Sequence, residues 1–394
     1  MLAITNARIL PIDGPEIEPG TILLDGSTIA AVGADVTIPG DAEIIDAAGQ
    51  WALPGLLDAH THLGVHEEGI GWEGSDTNEN TDPVTPHVRA LDGINPEELG
   101  LRDAASHGVT TAVVLPGSAN VVGGLGAIVK TSGQVVDRMA VEAECGLKVA
   151  FGENPKRVYG NRKQMPATRM GVAAVLRETL VKAQVYLRKL ERGEQDPDKA
   201  PDRDLRLETV GRVLKRDIPL LAHCHRADDI LTVLRIAEEF EVDLVLEHAT
   251  EAHRIVDEIA ARKVPCVVGP TFGARAKVEL REKTFASLGI LAGAGVPVAI
   301  CSDHPVLPSK HLRLYAGLAV AEGMAEADAL RSITLTPAEI MGVADRVGSL
   351  TPGKDADIVL FDGHPLELRS RATTVLIDGE RVPPPGDEST AAAE

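Results

Sequence analysis

Between residues 54 and 300 one pattern recurs: a short, almost uninterrupted apolar run, then a longer stretch with apolar positions every three or four residues. The runs predict strands at Leu56–His62, Val109–Leu115, Ala127–Thr131, Leu147–Phe151, Pro219–His223, Leu244–Glu247, Val264–Val268 and Val296–Ile300. Runs that are apolar at successive positions suit strands buried on both faces, as in parallel sheets. Helical stretches such as "MGVAAVLRETLVKAQVYLRKLERG" and "ADDILTVLRIAEEFEV" fall between several of them. Strands and helices alternating in this way predict an α/β fold, a (β/α)8 TIM-like barrel.

The two ends of the chain have another texture. "LAITNARIL", "GTILLDGSTIAAVG" and "AEIIDAAGQWALPG" are short strand patterns cut by turns, one of them at Asp25-Gly26. The same texture returns in "GSLTPGKDADIVLFDG" and "TTVLIDGERV", with turns at Asp362-Gly363 and Asp378-Gly379. Together they predict one small β-sandwich built from both chain ends. The expected division is residues 1–53 and 346–382 for the two parts of the sandwich and 54–345 for the barrel. The polar, proline-rich stretch 383–394 is expected to be a disordered tail.

Aromatic residues make up only 3% of the chain, so Val, Ile, Leu and Ala must fill the core. A formal net charge of -20 argues against nucleic acid or an anionic membrane as a partner, since both would be repelled. The four cysteines form no C-x-x-C pair, which suggests neither a disulfide framework nor a zinc knuckle. The N-terminus lacks the basic and apolar regions of a signal peptide, and no run reaches transmembrane length. The expectation is a cytoplasmic homo-oligomer acting on a small molecule.

Candidate chemistry gathers where the predicted strands end. Strand side chains alternate between two faces, so His60 and His62 of "LLDAHTHLG" share one face while Ala59, Thr61 and Leu63 point to the other. The fifth strand runs into His223 and His225, the sixth into His248 and the eighth into Asp303. In a (β/α)8 barrel the chemistry sits at the C-terminal ends of the strands. Each residue alone could be a hydrogen-bonded polar group, but all of them together suit one or two divalent metal ions, zinc foremost.

Lys148 lies inside an apolar run. A buried ammonium is costly, so it pairs with an anion or loses its charge. A neutral amine could add carbon dioxide, and the resulting carbamate could bridge two metals. Glu153 is the rival bridging ligand.

"DAHTHLG" after "LPG", the later His, His and Asp on separate strands, and the closing "GSLTPGKDADIVLFDG" resemble the amidohydrolase superfamily of metal-dependent hydrolases. "GENPKRVYG", "PGSANVVGG" and "SDHP" are similar to its imidazolonepropionase-related branch. The resemblance spans Met1 to about Val382 and is more specific for fold and metal use than for substrate. It implies a first metal on His60, His62 and Asp303, a second on His223 and His248, and Lys148 between them as a carbamate. It leaves His225 without an assigned role, as a reserve ligand. Asp303 would be the catalytic residue, taking a proton during attack by a metal-activated hydroxide and passing it to the leaving nitrogen.

The implied reaction is cleavage of a C–N amide bond in an N-acyl amino acid, a dipeptide or a cyclic amide. Two alternatives stay open: a mononuclear deaminase or imidazolonepropionase-type ring hydrolase, and a catalytically inactive barrel serving as an assembly subunit. The loop from Gly152 to Met170 carries Lys156, Arg157, Arg162, Lys163 and Arg169 against the single Glu153. It could pair with the acidic loop from His66 to His87, or Lys156 and Arg157 could hold a substrate carboxylate.

Overall fold

A computed structural model describes residues 1–383; beyond Pro383 the expected disordered tail lies outside the described residues. The first strands are β1 (Leu2–Ile9), β2 (Ile17–Asp25), β3 (Thr28–Gly33), β4 (Glu43–Asp46) and β5 (Trp51–Pro54). There follow β6 (Leu56–Thr61), β7 (Val109–Val114), β8 (Val122–Lys130), β9 (Ala140–Ala150), β10 (Leu220–Cys224), β11 (Leu244–His248), β12 (Cys266–Val268) and β13 (Val298–Ile300). The last are β14 (Ile358–Phe361), β15 (Ala372–Ile377) and β16 (Glu380–Arg381).

These strands form two eight-stranded sheets. One runs β13 to β6 in sequence order, as predicted for the barrel. Its closure is made just beyond β13, where the Asp303 N–H donates to the His60 carbonyl (3.0 Å) and the His62 N–H to that of His304 (2.9 Å). The helices are α1 (Leu99–Ser106), α2 (Val136–Met139), α3 (Glu153–Asn161), α4 (Arg169–Gln195), α5 (Leu205–Leu214) and α6 (Ala227–Phe240). Next come α7 (Val256–Arg262), α8 (Ala286–Gly293), α9 (Leu312–Ala321), α10 (Glu326–Arg331) and α11 (Leu335–Ile340).

Local sequence accounts for these elements. Helix α4 starts at Thr168, whose hydroxyl accepts the Gly171 N–H at 3.0 Å. Helix α6 buries Ile230, Val233, Leu234, Ala237 and Phe240, one apolar stripe at helical spacing, against the barrel.

The barrel departs from a regular (β/α)8 pattern at β8, which pairs antiparallel with both β7 and β9. Parallel neighbours need a crossover of a dozen or so residues. Only residues 115–121 separate β7 from β8, so the chain turns straight back. The start of β8, with the glycine-rich loop before it, therefore lies at the rim where the parallel strands end.

A second irregularity lies in β6. Leu57 and Ala59 join Val113, Ile128, Leu221, Val245, Val267 and Ala299 in the barrel's interior cluster, which Ala338, Met341 and Val343 plug from below. Strict alternation would then send His60 and His62 outward. Against β7, however, Asp58 pairs with Ala112 and Thr61 with Val114, so β6 accommodates an extra residue. This bulge resets the phase and turns both histidines inward. The expectation that they share a face holds, while Ala59, assigned to the opposite face from sequence, belongs inside with them.

The other sheet is drawn from both ends of the chain, with β14 lying between β5 and β15. Ile358 and Leu360 of β14 join Ile4, Ile9, Ile22, Leu24 and Leu376 in one cluster. Val359 and Phe361 face the other way, toward Ala105 of α1 and Leu330 of α10. A buried cation adds to this junction: Lys130, at the end of β8, lies 2.7 Å from Asp357, 2.9 Å from Asp355 and 3.1 Å from Asp378. Among the described residues no helix is long and apolar enough to cross a membrane.

Candidate metal centre

The two sides of β6 and β13 bring the first donor set together. His60 Nε2 lies 3.5 Å and His62 Nε2 3.3 Å from Asp303 Oδ1, and one ligand atom from each of the three lies within 4.8 Å of the others. His60 is fully buried, whereas the Asp303 side chain keeps 15% of its surface exposed. The set is thus sealed on the barrel side and open on the rim side.

The histidines are oriented by their other nitrogens. His62 Nδ1 donates to the Leu115 carbonyl and His248 Nδ1 to that of Gly269, both at 2.7 Å. His60 Nδ1 lies 2.5 Å from Glu247 Oε2, and His225 Nδ1 is 2.8 Å from the Thr250 hydroxyl. Such partners fix ring orientation and leave Nε2 as the ligand nitrogen, the usual surroundings of metal-bound imidazoles. His223 is the reverse case: Nε2 lies 3.4 Å from the Asn154 amide, while its buried Nδ1 has no hydrogen-bond partner among the described residues. A buried ring nitrogen without a partner, beside imidazole and carboxylate donors, fits a divalent transition metal.

Register explains why these groups converge. His223 sits beside Ala150 on one side and Glu247 on the other, and Cys224 pairs with His248. The His248 ring is 4.6 Å from that of His60, 4.4 Å from that of His223 and 4.9 Å from that of His225. Lys148 Nζ comes 3.3 Å from His60 Nε2.

Burial dominates the electrostatics. It holds His60, His223 and His225 well below the ordinary imidazole range, and neighbouring cations push the same way. His248 is brought down to about 4, again by burial first, although Asp303 pulls upward. Burial also lowers Lys148, against the opposing pull of Glu247 and Asp303. Glu247 is pushed up to about 8 by burial even though Lys148 draws it down. Asp303 ends below its ordinary value: burial raises it, but His248 and His62 outweigh that.

His60, His62, Lys148, His223, His225, His248 and Asp303 therefore all lie in or beside one cluster. Glu153 does not join either close donor set: it opens α3, and its backbone N–H donates to Glu279 Oε1 at 2.6 Å. Lys156 and Arg157 are exposed on α3. Arg162 bonds Asn80 on the acidic loop at 2.7 Å, which links the two rim loops at that point.

Sequence reasoning missed four residues at this centre. Glu247 was detectable as a carboxylate inside an apolar strand. Glu279 and Lys277 lie outside the strands, where neither periodicity nor motif marks them, and Asn154 stands within "GENPKRVYG", a stretch whose sequence does not single it out. His223, His225 and Glu279 bring a second trio of donor atoms within 4.8 Å. Lys277 Nζ is 3.4 Å from Asn154 Oδ1 and acts electrostatically on His223, His225 and His248.

Residues 51–382 match the family model described as Amidohydrolase family. "Amidohydrolase tasK" of Hapsidospora irregularis is 33% identical over 367 residues, or 87% of this chain; the match spans only 37% of that relative's length. An imidazolonepropionase of Geobacillus kaustophilus strain HTA426 is 27% identical over 391 residues, covering 88% of this chain and 84% of the relative. The crystal structure of an amidohydrolase from Thermotoga maritima MSB8 superposes with a TM-score of 0.94 at 45% identity, covering 97% of this chain and 99% of that one.

Proposed function

The chain belongs to the amidohydrolase family, and from that premise we propose that it hydrolyses a C–N amide bond of a small substrate in a metal-dependent reaction. The observation that supports this most is the convergence of His60, His62 and Asp303 on one point, buried toward the barrel and open toward the rim. We assign one ion to that set. His223 and His248, with Lys148 nearby as an amine or as its carbamate, are the donors we assign to a second. A divalent ion held there would supply Lewis acidity, lowering the pKa of a water and polarising an amide carbonyl.

The protein's own groups do the rest. Asp303, ionised and partly open to the rim, accepts a proton from the attacking water and returns it to the leaving nitrogen. Glu247 keeps the His60 ring in place through Nδ1, and the Leu115 carbonyl does the same for His62. Lys277 is better placed than the exposed Lys156 or Arg157 to meet a substrate carboxylate, because its ammonium acts electrostatically on His223 and His225 and lies 3.4 Å from Asn154, itself beside His223. This favours N-acyl amino acids and dipeptides over neutral lactams.

The test is a screen of N-acyl amino acids, dipeptides and lactams against zinc-loaded protein, with a chelated control. Turnover of an acid-bearing amide, lost on chelation, is expected. Lys277→Met should raise KM for the acid and leave its neutral amide analogue little changed. Turnover that survives complete removal of metal would overturn the reading.

A further inference from the structure

The rim carries two exposed features that the metal centre does not use, one acidic and apolar, the other basic and recessed. The first is the tip of the loop after β6. Its base is clamped: the Glu67 N–H donates to the Gly74 carbonyl at 2.7 Å, the Asp76 N–H to that of Val65 at 2.9 Å, and the Glu67 carboxylate accepts the Asn95 amide at 2.8 Å. Within this closed turn Gly69 and Gly71 take φ of +81° and +80°, which only glycine adopts freely. The turn holds Trp72 90% and Ile70 54% exposed. Large apolar side chains held out in water mark an interaction surface. Glu73 and Asp76 are exposed beside them. Among the described residues Asp82 is the single carboxylate of this loop that pairs with an arginine or lysine, Arg206 at 2.7 Å.

The second feature is a cavity of about 170 Å³ lined by Arg226, Arg254, Arg281, Val278 and Glu251. It lies where the loops after β10, β11 and β12 meet. Asp228 and Glu282, which pair with Arg226 and Arg281 at 2.8 Å, do not line it, so the lining itself carries three cations and one anion. In a chain of net charge -20 this is a local reversal of sign. Guanidinium groups beside an exposed valine suit an aromatic ring flanked by carboxylates.

We propose that these features dock in a second copy of this chain, each tip entering the other copy's arginine-lined cavity. Charge selects this occupant: the tip is acidic and apolar, the recess basic and apolar, and one chain carries both halves of the contact. They cannot meet within one copy, because β10 to β12 stand across the barrel mouth from β6 and the tip is clamped at its base. A stable interface buries about 800 Å² per partner, and a two-fold axis makes the contact twice toward that area. Both features stand on the rim, so the copies meet mouth to mouth.

The experiment measures the mass of the full-length protein by analytical ultracentrifugation over a dilution series. The expected species has twice the 41.6 kDa chain mass. Trp72→Gln and Arg281→Glu should each raise the dimer dissociation constant about tenfold or more, as loss of a tryptophan or arginine anchor does. Glu73→Arg should weaken the dimer in the same sense, and combining it with Arg281→Glu should restore association, since each reversal is then answered across the contact. All three side chains are exposed, and circular dichroism checks the fold of each variant. A wild type that sediments as one chain overturns the proposal without requiring any variant to fold. So does a dimer whose dissociation constant is unaltered by all three single changes, which places its contact on another face. A double reversal that binds more weakly than either single one overturns the pairing of tip with cavity.

Discussion

His248 and Asp303 hold left-handed backbone conformations, with φ of 67° and 55°. Each costs about 1–3 kcal/mol and persists only where the surroundings impose it, a pattern concentrated at functional sites. Asn tolerates this region as well as Asp does, so Asp303→Asn should leave the shape intact while removing the proton acceptor and the anionic ligand of the first ion together. Hydrolysis is expected to fall by about 10²–10⁴-fold in steady-state assays while the circular dichroism spectrum is unchanged; an undiminished rate would take Asp303 out of that role. His248 sets a pH dependence. Its folded pKa, about 4, lies below the unfolded value of about 6.5, so the unfolded chain binds the extra proton between them. Its share of stability is complete above pH ~6.5 and lost as pH falls toward ~4, a difference of about 3 kcal/mol. The urea midpoint of metal-free protein should drop across that window, and more shallowly in His248→Asn. The histidines and Asp303 were legible in the sequence because each ends an apolar strand. Glu279 and Lys277 were not, because a loop has no period and their partners are set only by the fold.

At the scale of elements, the strands were legible because each is a short apolar run, and that signal is blind to direction. Nothing in "VVGGLGAIVK" says that β8 runs against its neighbours; the shortness of the link before it does. The bulge in β6 was equally hidden, since the argument from alternation reached the right face for the histidines while misplacing Ala59. Gly124 shows how tightly β8 is fitted at the rim: its φ is +134°, and a Cβ would meet the Val88 carbonyl oxygen at 2.5 Å. Gly124→Ala should therefore destabilise the protein by about 1–3 kcal/mol, as forced overpacking does. Differential scanning calorimetry would register this, and a melting temperature equal to wild type would mean that the rim yields more easily than the contacts imply.

Across the whole molecule, Lys130 ties the barrel to the end sheet. Burial lowers its ammonium pKa, but Asp357, Asp378 and Asp355 together outweigh burial and leave it raised. Lys130→Met strands the buried Asp357 carboxylate without its cation and should cost about 3–5 kcal/mol in urea denaturation. Activity per folded molecule should stay unchanged, since Lys130 lies at the far end of β8 from the rim; a loss no larger than for an exposed lysine would remove its bridging role. The pairing of the two chain ends was legible because both share short strands and Asp-Gly turns, whereas the Lys130 cluster was not, because its partners lie far along the chain. The position of β14 between β5 and β15 also orders events in time. During synthesis Trp51–Pro54 emerges long before Ile358–Phe361, and at about 5–20 residues per second the delay is roughly fifteen seconds to a minute. For that interval the nascent chain presents an unpaired strand edge to whatever surrounds the ribosome, an edge of the kind that can pair with a neighbouring chain.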